Sequence, residues 1–233
     1  MRADYSGPHM PEWVFWVVGF AVIAGLGAYG AAQRTKQAEG LARKLGFRFI
    51  GPGGYDVVGP FVLLGYPTTI GPGLSNLSRG DRDGVELTLF DYQTEGNAFT
   101  SLVLRAPGLD VPHVAVQPPS MKSGKGRVVF RPRLSVPFEF AERPGFRQLY
   151  WATAETPAGL EVFTPALLDR LERDPGFYLE TIADRVLVAR TRLTPSGTSR
   201  LLTDDEVPAF LDEAMELFRL VAVRRGWAPP RPS

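Results

Sequence analysis

Few residues in this chain could carry out proton transfer. The 233 residues include two histidines and no cysteine, which excludes thiolate catalysis, disulfides and cysteine-based metal sites. His9 precedes a long apolar stretch, so His113 is the one histidine in the region that follows it. Asp110 lies close by and could form an acid–base pair with His113, but a polar loop residue that enters a strand is the better explanation of this position. The sequence therefore favours a non-catalytic protein, and we expect no catalytic residue.

Two further motifs could bind ligands. Asp81, Asp83 and Glu86 surround a glycine-rich turn, and carboxylates are the ligands that hard cations prefer. Aspartate is, however, common in turns without any metal. Lys125 lies in a Ser-Gly-Lys-Gly segment that lacks the upstream glycine and the Ser or Thr of a phosphate-binding loop. The sequence thus predicts neither a metal nor a cofactor.

Basic residues form two groups that could meet an anionic lipid surface or an acidic protein partner. The first group directly follows the apolar stretch, where basic side chains attract anionic lipid. The second group contains no acidic residue, and its members at 127, 131 and 133 would share one face of a strand. Scattered surface charge is the alternative explanation for the second group. The candidate lipid- or partner-binding residues are Arg34, Lys36, Arg43, Lys44, Lys122, Lys125, Arg127, Arg131 and Arg133.

The apolar stretch runs from Trp13 to Ala32 and carries no charged residue over 20 positions. At ~1.5 Å rise per residue it would form a helix of about 30 Å, the thickness of the hydrocarbon core of a bilayer. It predicts a transmembrane helix over 13–32 and hence a single-pass membrane protein. Small residues four positions apart, such as Ala21 and Gly25, would let two such helices pair closely.

Lysine and arginine predict the orientation of this helix. Arg2 is the only such residue before the stretch, whereas five follow it between positions 34 and 48. The positive-inside rule therefore places the N-terminus outside and the C-terminal domain in the cytoplasm. A cleaved signal peptide that ends at the small residues 30–32 is the alternative, and it would make the remainder an exported envelope domain.

Spacing of apolar residues predicts an α+β domain beyond the membrane helix. Alternating runs over 74–105 predict an antiparallel meander, and two runs over 177–190 predict a hairpin. Thr164-Pro165 is typical of a helix start. Thr203 and Glu206 have capping-box spacing before a last apolar stripe, although Pro208 moves its first helical turn slightly later. We therefore predict an antiparallel-sheet-rich domain with two covering helices.

The resulting domain organisation has five parts. They are a short extracytoplasmic N-terminus (1–12), the transmembrane helix (13–32), a basic helical stalk (33–46), the α+β domain (47–225) and a disordered tail (226–233). A division of the α+β domain into two subdomains near 134–146 is an alternative.

Three segments resemble a loose family of uncharacterised bacterial single-pass membrane-anchored proteins. They are Leu45–Phe49, which follows the basic stalk, Gly84–Tyr92 and Phe163–Leu168. The similarity in element order extends over most of residues 13–222. The resemblance implies a bacterial inner-membrane protein of unknown function, and it implies no activity and no site.

The sequence predicts a membrane-anchored, non-catalytic interaction module that binds a protein partner or an anionic lipid surface. The net charge of +1 gives no reason to expect nucleic acid. The alternatives are a membrane-tethered enzyme that uses Asp, Glu, Lys or Ser, and the exported envelope domain. A deep pocket with converging carboxylates would favour the enzyme, and a flat basic or apolar patch would favour the module.

Overall fold

The structure is a computed structural model that describes residues 12–53, 61, 73–94, 97–119, 134, 136–193 and 199–227. Its α-helices are α1 (Glu12–Lys44), α2 (Phe146–Leu149), α3 (Pro165–Arg173) and α4 (Val207–Ala222), and two short 3₁₀ helices cover Pro157–Val162 and Val223–Arg225. Its strands are β1 (Arg48–Gly51), β2 (Gly73–Arg82), β3 (Val85–Thr94), β4 (Asn97–Arg105), β5 (Val111–Gln117), β6 (Val136–Phe138), β7 (Trp151–Ala154), β8 (Phe177–Ala183), β9 (Arg185–Arg190), β10 (Arg192–Leu193) and β11 (Ser199–Arg200). The predicted α+β class is confirmed.

Nine strands form one antiparallel sheet in the order β1-β2-β3-β4-β9-β8-β5-β7-β6, while β10 and β11 pair separately. The predicted meander is confirmed, because β2, β3 and β4 are consecutive neighbours. The predicted hairpin is confirmed as β8 and β9. This late hairpin lies between β4 and β5, so strands from both sides of positions 134–146 belong to one sheet.

The sheet has a hydrophobic cluster on each face, because side chains alternate along each strand. On the first face, strand residues such as Leu102 and Val188 belong to one buried cluster with Leu171 of α3 and Phe218 of α4. On the second face lies a separate buried cluster, which includes Phe90, Phe99, Tyr178, Phe61 and Leu134.

A buried ionic network connects β9 to α4 and to the end of α3. The Arg190 guanidinium donates to both carboxylate oxygens of Asp174 at 2.9 Å and also to Glu213. Its central carbon lies 4.3 Å from the centre of the Phe177 ring. Pairing of this kind is what allows an arginine to be buried within the first face.

Helix α1 has two halves with different surroundings. Between positions 13 and 32, every residue whose side chain is described is exposed. From Arg34 onward the helix packs on the sheet, where Ala38, Leu41 and Ala42 are buried. The predicted stalk therefore lies against the domain. The stretch predicted to span the membrane is helical, but among the described residues no helix is both long enough and apolar enough to cross a bilayer. The structure thus lends no support to the predicted transmembrane span.

A short helix precedes β7. Helix α2 ends at Leu149 and β7 begins at Trp151. Phe146 and Tyr150 are both buried with ring centroids 5.2 Å apart. A helical turn brings residues four apart into contact, whereas four residues of strand would separate them by about 13 Å.

Candidate functional site

Seven of the ten large hydrophobic side chains that are exposed among the described residues lie in the first half of α1. Trp16 is 81% exposed and Phe20 is 76% exposed. Together with Trp13 and Val17 they follow the spacing i, i+3, i+4 and i+7, which places them on one side of the helix. Folded proteins rarely expose a contiguous apolar patch unless it binds another protein or a membrane. This surface is the strongest indication of function in the structure.

Glycines interrupt this half of the helix without being covered by the rest of the chain. A side-chain carbon built at Gly19, Gly25 or Gly30 would meet no atom within 4 Å. These positions therefore leave room beside the helix backbone. Such room is what a second helix needs for close approach.

Arg34 marks the point where α1 meets the domain. Its Nε donates to Oδ2 of Asp91 at 2.9 Å and its Nη2 donates to Oδ1 at 3.0 Å, while Nη1 lies 3.4 Å from Asp204. Asn76 adds a third hydrogen bond to the Asp91 carboxylate at 2.8 Å. Burial lowers the pKa of Arg34, but the hydrogen bond and charge of Asp91 outweigh it, so the pKa is raised overall. Arg34, predicted to bind lipid or a partner, thus has an intramolecular partner.

The bend that brings Asn76 to Asp91 comes from a bulge in β2. The register between β2 and β3 shifts between Ser75 and Ser78, and Asn76 adopts a left-handed φ of 57°. Asparagine tolerates this backbone conformation better than most residues. The bulge therefore places the amide beside a carboxylate on the neighbouring strand.

The remaining candidate residues of the first basic group are exposed. Lys36 and Lys44 lie on the outside of α1, and Arg43 is 79% exposed in an ion pair of 3.3 Å with Glu39, four residues earlier. They are accessible to a lipid surface or a partner. The whole second group (Lys122, Lys125, Arg127, Arg131 and Arg133) lies outside the described residues.

His113 lies on β5 and is buried in a polar cluster on the second face. Its Nε2 is 2.8 Å from Oε1 of Glu180, which in turn accepts a 2.6 Å hydrogen bond from the hydroxyl of Tyr178. Its Nδ1 is 3.6 Å from Glu155. The carboxylate that His113 contacts at hydrogen-bond distance is therefore Glu180 rather than the nearby Asp110. Both side chains of this pair are enclosed, so they are placed to connect β5 and β8 rather than to meet a substrate.

Two of the three acidic residues of the glycine-rich turn are bound to arginines. Asp83 lies 2.8 Å from Arg219 of α4, and Glu86 lies 3.2 Å from Arg105. Within the part of the chain that the structure describes, no group of three acidic or histidine residues could hold a metal ion. The turn thus anchors the β2–β3 hairpin to its neighbours.

A cleft of about 270 Å³ lies beside this turn and is lined by three arginines. Arg79, Arg105 and Arg185 come from β2, β4 and β9, and Glu86 and Thr88 of β3 complete the polar lining. Arg105 donates from Nε to Asp184 at 2.8 Å, and Arg185 lies 3.4 Å from the same carboxylate. The hydrogen bond to Asp184, followed by its charge, raises the pKa of Arg105.

This cleft is absent from the sequence-based expectations. Arg105 and Arg185 are 80 positions apart and become opposite each other only through the pairing of β4 with β9. No short-range spacing signals that pairing. Glu86 was considered only as a metal ligand, and the structure instead makes it a partner of Arg105.

No family model matches this chain, and neither a curated protein nor a solved structure is significantly similar to it, so the resemblance to bacterial membrane-anchored proteins stays a prediction.

Proposed function

We propose that this protein is a membrane-anchored, non-catalytic interaction module. In this proposal the apolar half of α1 lies in lipid, and the α+β domain presents binding surfaces for a protein partner or anionic lipid. The observation that carries the proposal is the uncovered apolar surface of residues 13–32, where all described side chains are exposed. Burying that surface in lipid would remove it from water, which is favourable by about 25 cal/mol per Å².

The positions of the basic residues support a cytoplasmic location for the domain. Lys36, Arg43, Lys44 and Arg48 all follow the apolar half and are exposed, which is the arrangement that the positive-inside rule favours. Because Arg34 is bound to Asp91, the sheet would lie directly at the membrane surface, without a free stalk between them.

The chemistry of the described side chains supports a module rather than the enzyme alternative. The His113–Glu180 pair is enclosed. The cleft beside the glycine-rich turn is lined by three arginines and one glutamate instead of converging carboxylates. An enzyme that relies on paired carboxylates would need the opposite balance.

A fractionation experiment tests the anchor. The full-length chain should remain with membranes after alkaline extraction, whereas a variant with Val17→Arg and Phe20→Arg should leave them. Each arginine costs about 2.5–3.5 kcal/mol at the centre of a membrane helix. Gln37→Arg is the matched control, since position 37 is exposed on the same helix beyond the apolar half. Extraction of the unchanged chain, or retention of the double variant, would contradict the anchor.

A topology reporter at the C-terminus tests the orientation. A signal from the cytoplasmic side, with the chain at full length, agrees with the proposal. A signal from the opposite side contradicts the cytoplasmic location. The length of the mature chain then separates an inverted anchor from a cleaved signal peptide.

Two kinds of partner follow from the proposal. Replacement of Lys122, Lys125, Arg127, Arg131 and Arg133 by glutamine should reduce the anionic lipid and the partner proteins that purify with the chain; unchanged recovery would count against the second basic group.

Self-association through the helix should weaken in Gly25→Ile, because the added side chain fills the open space beside that glycine. Unchanged crosslinking between copies would argue against pairing at this position.

A further inference from the structure

We propose that a basic surface where α1 ends binds an acidic segment of a protein partner. The surface consists of Arg43, Lys44 and Arg48, whose side chains are all exposed, and we call it the basic end of α1. The inference rests on the proposed membrane function. It deepens that function, because it separates the basic residues that serve a protein partner from those that meet lipid.

A tight turn brings the three residues together. Helix α1 ends at Lys44, and Gly46 follows with a left-handed φ of 72°. The backbone N–H of Phe47 donates to the carbonyl oxygen of Ala42 at 2.8 Å, which is typical of a Schellman motif. The chain therefore turns back at once, and Arg48, the first residue of β1, follows directly on the last turn of the helix.

The charges of this surface are available to a partner. The side chains of Lys44 and Arg48 form no ion pair with any residue that the structure describes. The residue opposite Arg48 on β2 is Arg79, so strand pairing supplies no carboxylate to Arg48. Arg43 contacts Glu39 at 3.3 Å, but both side chains are exposed, and an exposed pair of this kind contributes at most about 0.5 kcal/mol. Arg43 can therefore exchange this carboxylate for another.

The surroundings of Arg48 indicate a peptide. The helix dipole favours basic residues in the last turn of a helix, but Arg48 lies beyond α1 in β1. Strand β1 is at the edge of the sheet, with no described strand on its other side, and sheet edges accept extended peptides. Ile50 shares the side of β1 that carries Arg48 and is 41% exposed. A peptide can match both the charge and the apolar side chain, whereas a lipid headgroup matches the charge alone.

The length of α1 separates this surface from lipid. The apolar half ends at Ala32, and the helix continues without interruption to Lys44. At ~1.5 Å rise per residue, Lys44 lies about 18 Å beyond the hydrocarbon core of the proposed anchor. The headgroup layer is only about 5–8 Å thick, and electrostatic attraction falls off within a Debye length of about 8 Å. Lys36, about 6 Å beyond Ala32, lies within the headgroup layer, and the basic end of α1 lies outside it.

Fluorescence anisotropy on the full-length chain in neutral detergent tests the proposal, with a short labelled peptide of glutamate and serine as the probe. We expect saturable binding that weakens as the salt concentration rises. The double variant Lys44→Gln and Arg48→Gln should weaken it about tenfold or more, because two charge-assisted contacts are lost. The same peptide with glutamine in place of glutamate should not bind.

The double variant Arg147→Gln and Arg173→Gln is the matched control. Both residues are also exposed bases in the last turn of a helix, in α2 and α3. Their replacement should leave the affinity for the peptide unchanged. The absence of saturable binding, equal binding of the glutamine peptide, or equal weakening by the control variant would overturn the proposal.

Bilayers that contain phosphatidylserine test the lipid alternative on the same reconstituted chain. Lys36→Gln should reduce the enrichment of this lipid around the protein, and the double variant Lys44→Gln and Arg48→Gln should not. If the double variant lowers lipid enrichment but leaves peptide binding unchanged, the surface binds lipid and the proposal is overturned. Because the peptide assay uses detergent and the anchor is measured by alkaline extraction, failure of one is not mistaken for failure of the other.

Discussion

Asp91 is a buried carboxylate whose charge is balanced by a residue of another element. It accepts two hydrogen bonds from Arg34 and one from Asn76. A buried carboxylate requires such partners, because an unpaired charge away from water is costly. The sequence gives no sign of this partner, because Arg34 is 57 positions away.

Replacing Arg34 by alanine should therefore destabilise the domain. The Asp91 carboxylate would remain buried with only Asn76 as partner, and we expect the free energy of unfolding to fall by about 2–4 kcal/mol. Urea unfolding measures the change. Arg43→Ala is the control, because this exposed pair contributes at most about 0.5 kcal/mol. Equal effects of the two replacements would show that the Arg34–Asp91 pair does not hold the helix.

Glu206 is a second residue whose charge has a local structural role. Its carboxylate accepts hydrogen bonds from Arg200 and from the backbone N–H and hydroxyl of Thr203. The glutamate half of the predicted capping box therefore forms, but the N-cap of α4 is Glu206 rather than Thr203, and no side chain caps the helix. Chiefly through the hydrogen bond with Arg200, these contacts lower the pKa of Glu206 from 4.5 to about 2. The ionised form is therefore the one that stabilises the fold.

The contribution of Glu206 to stability should depend on pH with a definite sign. This contribution is fully present above pH 4.5 and is lost as the pH falls toward about 2. In that range the unfolded chain binds a proton at Glu206 while the folded chain does not, so acid favours unfolding. Glu206→Gln should lower the free energy of unfolding by about 1 kcal/mol at pH 7, and the difference from the unchanged chain should vanish near pH 2. Denaturation at several pH values measures it. Glu142→Gln, at an exposed position, is the control, and a difference constant with pH would refute the assignment.

At the scale of elements, the contact between α1 and the sheet depends on a glycine. A side-chain carbon at Gly80 of β2 would lie 2.2 Å from the Phe47 ring, far closer than atoms can approach. Phe47 follows α1 and packs against the cluster of the first face. The absence of a side chain at Gly80 therefore lets the end of the helix lie flat on the strand.

Gly80→Ala should consequently destabilise the protein by about 1–3 kcal/mol, the usual cost of overpacking. Gly40→Ala is a control of opposite sign, because nothing lies within 4 Å of that position in α1 and alanine favours a helix by up to about 1 kcal/mol. Thermal unfolding of both variants measures the two effects. If the melting temperature of Gly80→Ala matched or exceeded that of the unchanged chain, the proposed contact with Phe47 would be wrong.

Helix starts were predictable because their signals are local. Thr164 accepts a hydrogen bond from the backbone of Leu167 at 3.1 Å, as the Thr-Pro signal predicts. Helix α4 begins at Val207, after the Thr203–Glu206 contact and with Pro208 in its first turn. Helix α2 was not predicted, because its single turn is stabilised by contacts of Phe146 with Tyr150 and with the more distant Phe140.

At the scale of the whole molecule, the proposed membrane attachment and the stability of the fold involve different parts of the chain. The described side chains of residues 13–32 are exposed, so they contribute little to the packing of the domain. Burial within α1 starts with Ala38, Leu41 and Ala42. The first half of the helix is therefore free to contact lipid or another protein, while the second half packs in the hydrophobic core of the domain.

Two truncations test this division. A chain that starts at Gln33 should unfold at the same denaturant concentration as the full chain in the same detergent, yet should no longer associate with membranes. A chain that starts at Phe47 should lose at least about 3 kcal/mol, because it lacks Arg34 and the buried Leu41. Denaturation and fractionation measure the two properties. A large loss of stability in the first truncation would show that the apolar half packs on the domain.

Sequence alone was sufficient for the elements whose signals lie within a few residues. Apolar spacing and local start signals predicted the helix of α1, the β2–β3–β4 meander, the β8–β9 hairpin and the helices α3 and α4. Only the tertiary structure could decide which distant elements meet. The insertion of β8 and β9 between β4 and β5 creates the arginine cleft and the His113–Glu180 contact. These contacts join residues that are far apart in the chain. No local spacing encodes them, because strand pairing depends on how side chains pack against neighbouring strands and become buried on both faces of the sheet.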